Sequence, residues 1–268
     1  MKDKDKILRV DDLNLHFKLS RGLFKSPVLI KAVNNISFSL FSGETLGIVG
    51  ESGSGKSSVC RLVLNLINKT SGSISWFNKD IDSFNSSELK NFRKSVQVIF
   101  QDPYGSLDPR MTIGKIISEP LDIYRKNLKI EEKEELVIAA MKDVGLSNKL
   151  FNRYPHELSG GQCQRVGIAR SLINNPSVLI CDEPVSALDL SIQAQILDLI
   201  EVIKEKYKLT IIFVSHDLSI VKSICDRVIV LKDGNIIESN NTTNLFKNPK
   251  SIYTKKLISS VPSPIPLK

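Results

Sequence analysis

The sequence lacks several features that mark specialised classes of protein. No apolar run approaches the about 18 residues that a membrane helix needs. The first ten residues, MKDKDKILRV, lack the apolar stretch of a secretory signal peptide. The four cysteines are scattered and form no C-x-x-C pair, so metal-binding spacing is missing. These absences predict a cytosolic protein with free thiols and no structural metal.

Acidic residues are missing from the last part of the chain. The formal net charge is +8, but no Asp or Glu follows Glu238, whereas five lysines do: Lys247, Lys250, Lys255, Lys256 and Lys268. Five of the eight excess charges therefore lie in this tail, which favours a solvated basic end. A patch for nucleic acid or a membrane surface is the alternative.

Hydrophobic patterning predicts an α/β fold. Four short, continuous apolar runs (TLGIV, VQVIF, SVLIC and TIIFV) are typical of strands buried on both faces, and ISFSL and SISWF alternate as half-buried strands do. Helical patterns lie between them, as in 191–208, whose apolar side chains share one face: Ile192, Ile196, Leu199, Ile200 and Ile203. Asp233-Gly234 predicts the turn of a late hairpin.

The length of 268 residues suits one core with an insertion. Residues 103–172 carry no strand pattern and contain an amphipathic helix, EEKEELVIAAMKDVGL, so we expect a helical subdomain there. The core then comprises 1–102 and 173–240, and 241–268 form a C-terminal extension. The end, VPSPIPLK, should be extended or mobile because of its prolines.

The segment GESGSGKSS, Gly50–Ser58, matches the phosphate-binding pattern G-x-x-x-x-G-K-S after a predicted strand and before a predicted helix. Glycines let backbone N–H groups surround phosphate oxygens, and a helix N-terminus adds positive potential. Lys56 can reach the β- and γ-phosphates, and the Ser57 hydroxyl can bind Mg²⁺. The predicted nucleoside triphosphate site comprises Gly50, Ser52, Gly53, Ser54, Gly55, Lys56, Ser57 and Ser58.

A pair of carboxylates ends another buried strand, in SVLICDEP. Asp182 and Glu183 emerge at the carboxyl end of that strand, where α/β sheets bind ligands. Asp182 can hold Mg²⁺ through water, and Glu183 can polarise an attacking water as general base.

The pentapeptide LSGGQ, Leu158–Gln162, precedes an amphipathic run and offers a second helix N-terminus with N–H donors. With the two motifs above, it makes the chain resemble ATP-binding cassette (ABC) ATPases. The resemblance implies a P-loop NTPase (RecA-like) core with an antiparallel β subdomain and an inserted α-helical subdomain. It also implies that Ser159, Gly160, Gly161 and Gln162 close over ATP held by a partner subunit.

The same resemblance assigns further residues. Gln101 matches the glutamine that binds Mg²⁺ and links the core to the helical subdomain. Asp189, in SALD, matches the aspartate that contacts the opposite subunit, and His216 matches the histidine that touches the γ-phosphate. Phe17 is the candidate for stacking on adenine; the alternative is a strand residue packed in the core.

Longer segments, including FQDPYGSLDPRMTIGKIISEPL and YPHELSGGQCQRVGIAR, resemble the F-type ATP-binding subunit of oligopeptide and dipeptide importers. This implies a D-type ATP-binding partner, two membrane-spanning permeases, an extracytoplasmic substrate-binding protein reached indirectly, and a place at the cytoplasmic face of the cell membrane. No nucleic acid is expected. The chain departs from the pattern at Ser251-Ile252, where the family often has His-Pro, and at Cys163.

Two alternatives stay open. An importer of the same kind with another cargo, such as nickel, would carry a nearly identical ATPase subunit. A soluble ABC-type ATPase acting on DNA or ribosomes is the alternative from another class, although the chain lacks a long coiled coil and a second cassette.

Overall fold

The computed structural model describes residues 5–19 and 28–260. The ten strands of these residues are β1 (Lys6–Leu19), β2 (Val28–Phe41), β3 (Thr45–Val49), β4 (Ser71–Trp76), β5 (Lys79–Asp80), β6 (Val96–Ile99), β7 (Val178–Asp182), β8 (Thr210–Ser215), β9 (Arg227–Lys232) and β10 (Asn235–Asn241). Their nine α-helices are α1 (Lys56–Val63), α2 (Ser86–Ser95), α3 (Ile113–Tyr124), α4 (Ile130–Asp143), α5 (Gly160–Leu172), α6 (Leu190–Tyr207), α7 (Leu218–Ile224), α8 (Thr242–Lys247) and α9 (Ile252–Ser259). The proline-rich end predicted to be extended or mobile, 261–268, lies outside these residues.

The mixed α/β class predicted from hydrophobic patterning is confirmed. The four continuous apolar runs form β3, β6, β7 and β8, and every residue of β3 and β8 is buried. Phe100, at the end of one predicted run, lies beyond β6 and is exposed. Nowhere in the described ranges is a helix both long enough and apolar enough to cross a membrane.

The chain divides into two compact units, and the first comprises residues up to 85 and from 212 onward. It contains an antiparallel sheet in the order β2-β1-β4-β5. Leu8 of β1 pairs with Trp76 of β4, and both side chains are fully buried. The Trp76 indole Nε1–H donates to the carbonyl O of Val63 at 2.8 Å, which ties the end of α1 to this sheet.

The first unit also contains strands in the order β10-β9-β3-β8, with residues 212–215 of β8 inside the unit. β3 and β9 are parallel, with Val49 opposite Val230, so the segments that follow these two strands lie at the same edge. β9 and β10 form the predicted hairpin. Its turn residues Asp233 and Gly234 have φ of 48° and 76°, as a two-residue turn of the favoured twist requires.

The second unit, residues 86–211, joins the parallel pair β6 and β7 to helices α2–α6. Residues 100–177, all described, contain no strand. Apolar faces of α3, α4 and α5 supply buried side chains that include Ile113, Ile116, Ile117, Leu121, Val137, Met141, Val166 and Ala169. The Lys206 ammonium and the Tyr207 hydroxyl both donate to the Asp143 carboxylate at 2.5 Å, which ties α6 to α4.

The four cysteines are buried thiols. Burial raises the pKa of the Cys163 thiol to about 11. Burial, and the neighbouring Asp182 carboxylate after it, also raise the pKa of Cys181. These thiols therefore remain protonated at physiological pH.

Candidate functional site

The glycine-rich segment Gly50–Ser58, called the phosphate loop below, runs from the end of β3 into α1. Gly55 is the N-cap of α1, with a left-handed φ of 105°. A Cβ there would lie 2.5 Å from the carbonyl O of Ala32, and one at Gly50 would lie 2.3 Å from the carbonyl O of Leu231. The backbone thus passes too close to its neighbours for any side chain at either position.

Lys56 opens α1, and its side chain is 4% exposed. Its ammonium Nζ donates to the carbonyl O of Gly50 at 2.8 Å and to that of Glu51 at 3.0 Å. Gly55 offers no side-chain cap, and the first turn of α1 holds no acidic residue. A buried cation and the positive end of a helix dipole therefore meet at one end of the loop, which favours a bound anion.

The serines of the loop differ in environment. Ser52 and Gly53 are exposed, whereas Ser57 and Ser58 are partly buried in the first turn of α1. Ser54 is 4% exposed, and its hydroxyl is buried without a hydrogen-bond partner. A phosphate oxygen bound in the loop could accept a hydrogen bond from this buried hydroxyl.

The predicted acid pair lies at the carboxyl end of β7. Asp182 is the last residue of the strand, and Glu183 follows with a left-handed φ of 49°. This conformation is uncommon for a residue other than glycine. The Ser186 hydroxyl donates to the Glu183 carbonyl O at 3.2 Å and helps to hold the turn. Such outliers concentrate at functional sites.

Gln101 lies at the same edge of the second unit as these carboxylates. β6 and β7 are parallel, with Ile99 opposite Cys181, so the segments that follow them emerge side by side. Gln101 is exposed two residues after β6. The structure thus brings Gln101 together with Asp182 and Glu183. Amide and carboxylate oxygens are donors that fit Mg²⁺.

The segment Ser159–Gln162, called the signature segment, begins α5. The Ser159 hydroxyl accepts from the Gln162 N–H at 3.4 Å, and the Gln162 carbonyl Oε1 accepts from the Ser159 N–H at 3.0 Å. This reciprocal cap fixes the first turn of the helix. Ser159 is exposed, so the capped helix start faces solvent.

The signature segment packs against the start of α6, where Asp189 is the N-cap. A Cβ at Gly161 would lie 2.5 Å from Cγ2 of Ile192, and one at Gly160 would lie 3.4 Å from Cδ2 of Leu188. Larger residues would therefore separate the two segments. The structure brings Asp189 and the signature segment together.

Tyr104 has a role in this region that motif matching did not predict. Its hydroxyl donates to the Leu158 carbonyl O at 3.1 Å and so links the segment after Gln101 to the signature segment. The Arg170 guanidinium adds a second link by donating to the Ser106 carbonyl O at 2.8 Å. The segment QDPYGSLDP served in the sequence only to mark the resemblance to the family. It could not predict these two hydrogen bonds, because the bonded residues lie far apart in the sequence.

His216 and Phe17 belong to the first unit. His216 is exposed directly after β8, the strand next to β3. Phe17 lies on β1 opposite Ile30 of β2, and its side chain is 48% exposed. Phe17 is therefore a strand residue but not a core residue, which removes the core alternative and leaves a face on which a planar group could stack.

A glycine-rich loop between a buried strand and a helix, with a buried lysine opening that helix, defines a P-loop NTPase. The comparisons with known proteins agree with this class. A family model described as "ABC transporter" matches residues 33–186.

Named relatives extend the match over nearly the whole chain. The oligopeptide transport ATP-binding protein OppF of Haemophilus influenzae is 48% identical over 98% of this chain and 80% of its own length. The oligopeptide transport ATP-binding protein AppF of Bacillus subtilis is 46% identical over 97% of this chain and 79% of its own. Among solved structures, the dimeric ATP-binding cassette MJ0796 in a post-hydrolysis state with ADP and Pi has a TM-score of 0.78 at 29% identity, covering 88% of this chain and 99% of that one.

The chain belongs to the ABC transporter family of ATP-binding proteins, and it is an ATPase. The resemblance inferred from the three motifs is thus confirmed.

Proposed function

We propose that this ATPase energises the import of oligopeptides or dipeptides through membrane permease subunits. The proposal is carried by the phosphate loop, in which Lys56 is buried at the start of α1. The chain that holds this loop matches, over 98% of its own length, a protein named for oligopeptide transport. The protein would act at the cytoplasmic face of the cell membrane and meet a substrate-binding protein only through the permeases.

At the ATP site, Lys56 and the loop N–H groups would bind the β- and γ-phosphates, and the Ser54 hydroxyl would gain a phosphate partner. Ser57, Gln101 and Asp182 would hold Mg²⁺, which when bound supplies positive charge to the phosphate oxygens. Phe17 would stack on adenine. The support for these roles is the donor set and the exposed Phe17 face described above.

For hydrolysis, Glu183 would accept a proton from the attacking water, and His216 would contact the γ-phosphate. The position of Glu183 directly after the last residue of β7, with a left-handed φ of 49°, supports this role. Catalysis would consist of positioning and charge stabilisation.

We infer that a head-to-tail dimer, with a D-type subunit as partner, completes each site. The signature segment Ser159–Gln162 would donate to the ATP of the partner, and Asp189 would contact the opposite subunit. Exposure supports this arrangement: Ser159 caps its helix at the surface, and Leu190, next to Asp189, is 84% exposed. An apolar side chain that exposed is suited to a protein contact.

Glu183→Gln tests the proposal. In cells that lack the native gene, wild-type protein should restore uptake of labelled oligopeptides. The variant should bind ATP normally yet lose turnover by roughly 10²–10⁴-fold, because the general base is gone. ATP binding and hydrolysis by the purified complex and peptide uptake are the measurements.

Glu201→Gln is the matched control, since Glu201 is exposed on α6; it should behave as wild type. Normal turnover by a folded Glu183→Gln protein would contradict the general-base role. Restored nickel uptake without peptide uptake would contradict the peptide cargo, and co-purification with ribosomes or DNA instead of permeases would contradict transport.

A further inference from the structure

The side chain of Tyr253, on helix α9, reaches the phosphate loop. The Tyr253 hydroxyl accepts the backbone N–H of Glu51 at 3.2 Å. The Lys232 ammonium lies 5.0 Å from the centroid of the Tyr253 ring, on the side of β9. Burial raises the pKa of Tyr253, so the phenol is neutral at physiological pH. The ring of Tyr253 is thus held by Lys232, and its hydroxyl is hydrogen-bonded to Glu51.

The start of α9 is itself anchored. The Glu238 carboxylate, on β10, is 8% exposed and accepts the backbone N–H groups of Lys250 and Ser251 at 3.0 Å each. The Ser251 hydroxyl accepts the Tyr253 N–H at 3.2 Å and caps the helix. Because the anchor lies two residues before Tyr253, the side chain starts from a fixed backbone.

The Glu51 residue that Tyr253 contacts is held on its other side by the loop. The Glu51 carbonyl O accepts from the Ser54 N–H at 3.1 Å and from the Lys56 ammonium at 3.0 Å. Tyr253 therefore fixes one side of a residue whose carbonyl binds the lysine of the phosphate site. A change at Tyr253 would therefore reach Lys56 through Glu51.

We propose that Tyr253 is a positioning residue for ATP binding, which orders the phosphate loop before the nucleotide arrives and makes α9 part of the ATP site. The inference rests on the proposed role of the loop in binding ATP phosphates. Ordering a loop before binding strengthens affinity, because less freedom is lost when the ligand binds. Tyr253 contacts the backbone of Glu51 and has no part in the proposed hydrolysis step, so its effect falls on binding.

Tyr253→Phe in the full chain is the test, because it removes the hydroxyl and keeps the ring. Tyr253 is only partly buried and Glu51 is exposed, so the variant leaves no core cavity and water can reach the Glu51 N–H. We expect the Kd for Mg-ATP, measured with a non-hydrolysable analogue, to rise about three- to tenfold, as loss of one hydrogen bond implies. The KM of the assembled ATPase should rise equally, with kcat changed less than twofold.

A second readout follows the contact itself without nucleotide. In Tyr253→Phe the Glu51 amide proton should exchange faster with solvent and shift in the nuclear magnetic resonance spectrum. Tyr207→Phe is the matched control, since it removes a hydroxyl bonded to Asp143 in the second unit. That variant should leave both the Kd and the Glu51 amide unchanged.

The outcomes separate this inference from the proposed function. Wild-type protein that bound no Mg-ATP would overturn the proposed function. Wild-type binding with an unchanged Kd in Tyr253→Phe would overturn the inference alone. A higher Kd with an unaltered Glu51 amide would also overturn it, because the effect would not pass through the loop.

Discussion

At the scale of single residues, a position in this chain requires glycine for either of two reasons: its φ is positive, or a Cβ would clash with neighbouring atoms. Gly43 and Gly55 both have left-handed φ values, 71° and 105°. A Cβ at Gly43 would meet nothing within 4 Å, whereas one at Gly55 would meet the Ala32 carbonyl O at 2.5 Å. A side chain at Gly43 would therefore cause backbone strain alone, whereas one at Gly55 would cause backbone strain and a steric clash.

This contrast predicts different outcomes for two alanine variants. Gly43→Ala should destabilise the fold by about 1–2 kcal/mol, the usual penalty for a left-handed L-residue, and leave ATP binding intact. Gly55→Ala should add a steric term of about 1–3 kcal/mol and abolish ATP binding, because the loop must move. Urea unfolding and a binding isotherm measure both effects. Equal losses of stability, with ATP still bound by Gly55→Ala, would contradict the crowding argument.

The local backbone geometry of single residues was predictable where the signal is local. The phosphate loop, the acid pair and the signature segment are contiguous motifs, and their backbone geometry follows from their own glycines and caps. Tyr104 and Tyr253 were not predictable as contacts, because their partners lie 54 and 202 residues away. Only the fold brings those atoms together.

At the scale of elements, a tight turn was predictable from its own residues. A strand with bulges and a short helix anchored by a distant residue were not. The Asp233-Gly234 hairpin follows from two residues that accept positive φ. The sequence did not predict β1 as a strand of 14 residues, because register shifts interrupt the alternation of its apolar and polar side chains. One of these shifts lies beside Asp12, which has a φ of 46°. α9 was missed because eight residues carry too weak a helical signal alone, and Glu238 fixes its start.

The Glu238 anchor predicts how α9 responds to pH. Burial works to raise the Glu238 pKa, but the Lys250 and Ser251 N–H groups bind the ionised form and leave the pKa below its usual value. The carboxylate therefore stabilises the folded state fully above the ordinary glutamate pKa of about 4.3. This stabilisation is lost as the pH falls through the lower folded-state pKa.

Glu238→Gln should accordingly lower the unfolding free energy by about 1.5–3 kcal/mol at pH 7, as loss of hydrogen bonds to a charge implies. The difference from wild type should shrink as the pH falls below about 4. Urea titrations at several pH values test this, with Glu201→Gln as an exposed control. A difference that stayed constant over the whole range would rule out the ionised anchor.

At the scale of the whole molecule, the family and the fold class were predictable because three motifs occur in one chain. The division into 1–102 with 173–240, 103–172 and 241–268 stays a prediction. In the proposed arrangement the permeases, rather than this chain, contact the transported molecule, so the cargo is only weakly encoded in this sequence. Resemblance over long segments, rather than any single residue, supports the peptide assignment.

The proposed composite sites predict complementation between two inactive chains. Ser159→Arg spoils the signature segment that one subunit offers, and Lys56→Ala spoils the phosphate loop of the other. The test applies to a dimer of two copies of this chain: a mixed pair then keeps one intact composite site, and mixing should restore ATPase activity that neither variant shows alone. The mixed dimer is verified by two tags. Its formation without any recovered hydrolysis would exclude action of Ser159 across subunits.

The burial of all four thiols, with the Cys163 pKa raised to about 11, makes the native chain poorly reactive toward maleimides at neutral pH. A single cysteine placed at an outward position such as Ile252, which is 85% exposed, would then accept a fluorophore alone. No native cysteine would need replacement first. Distance measurements by energy transfer could follow α9 through the ATP cycle in otherwise wild-type protein.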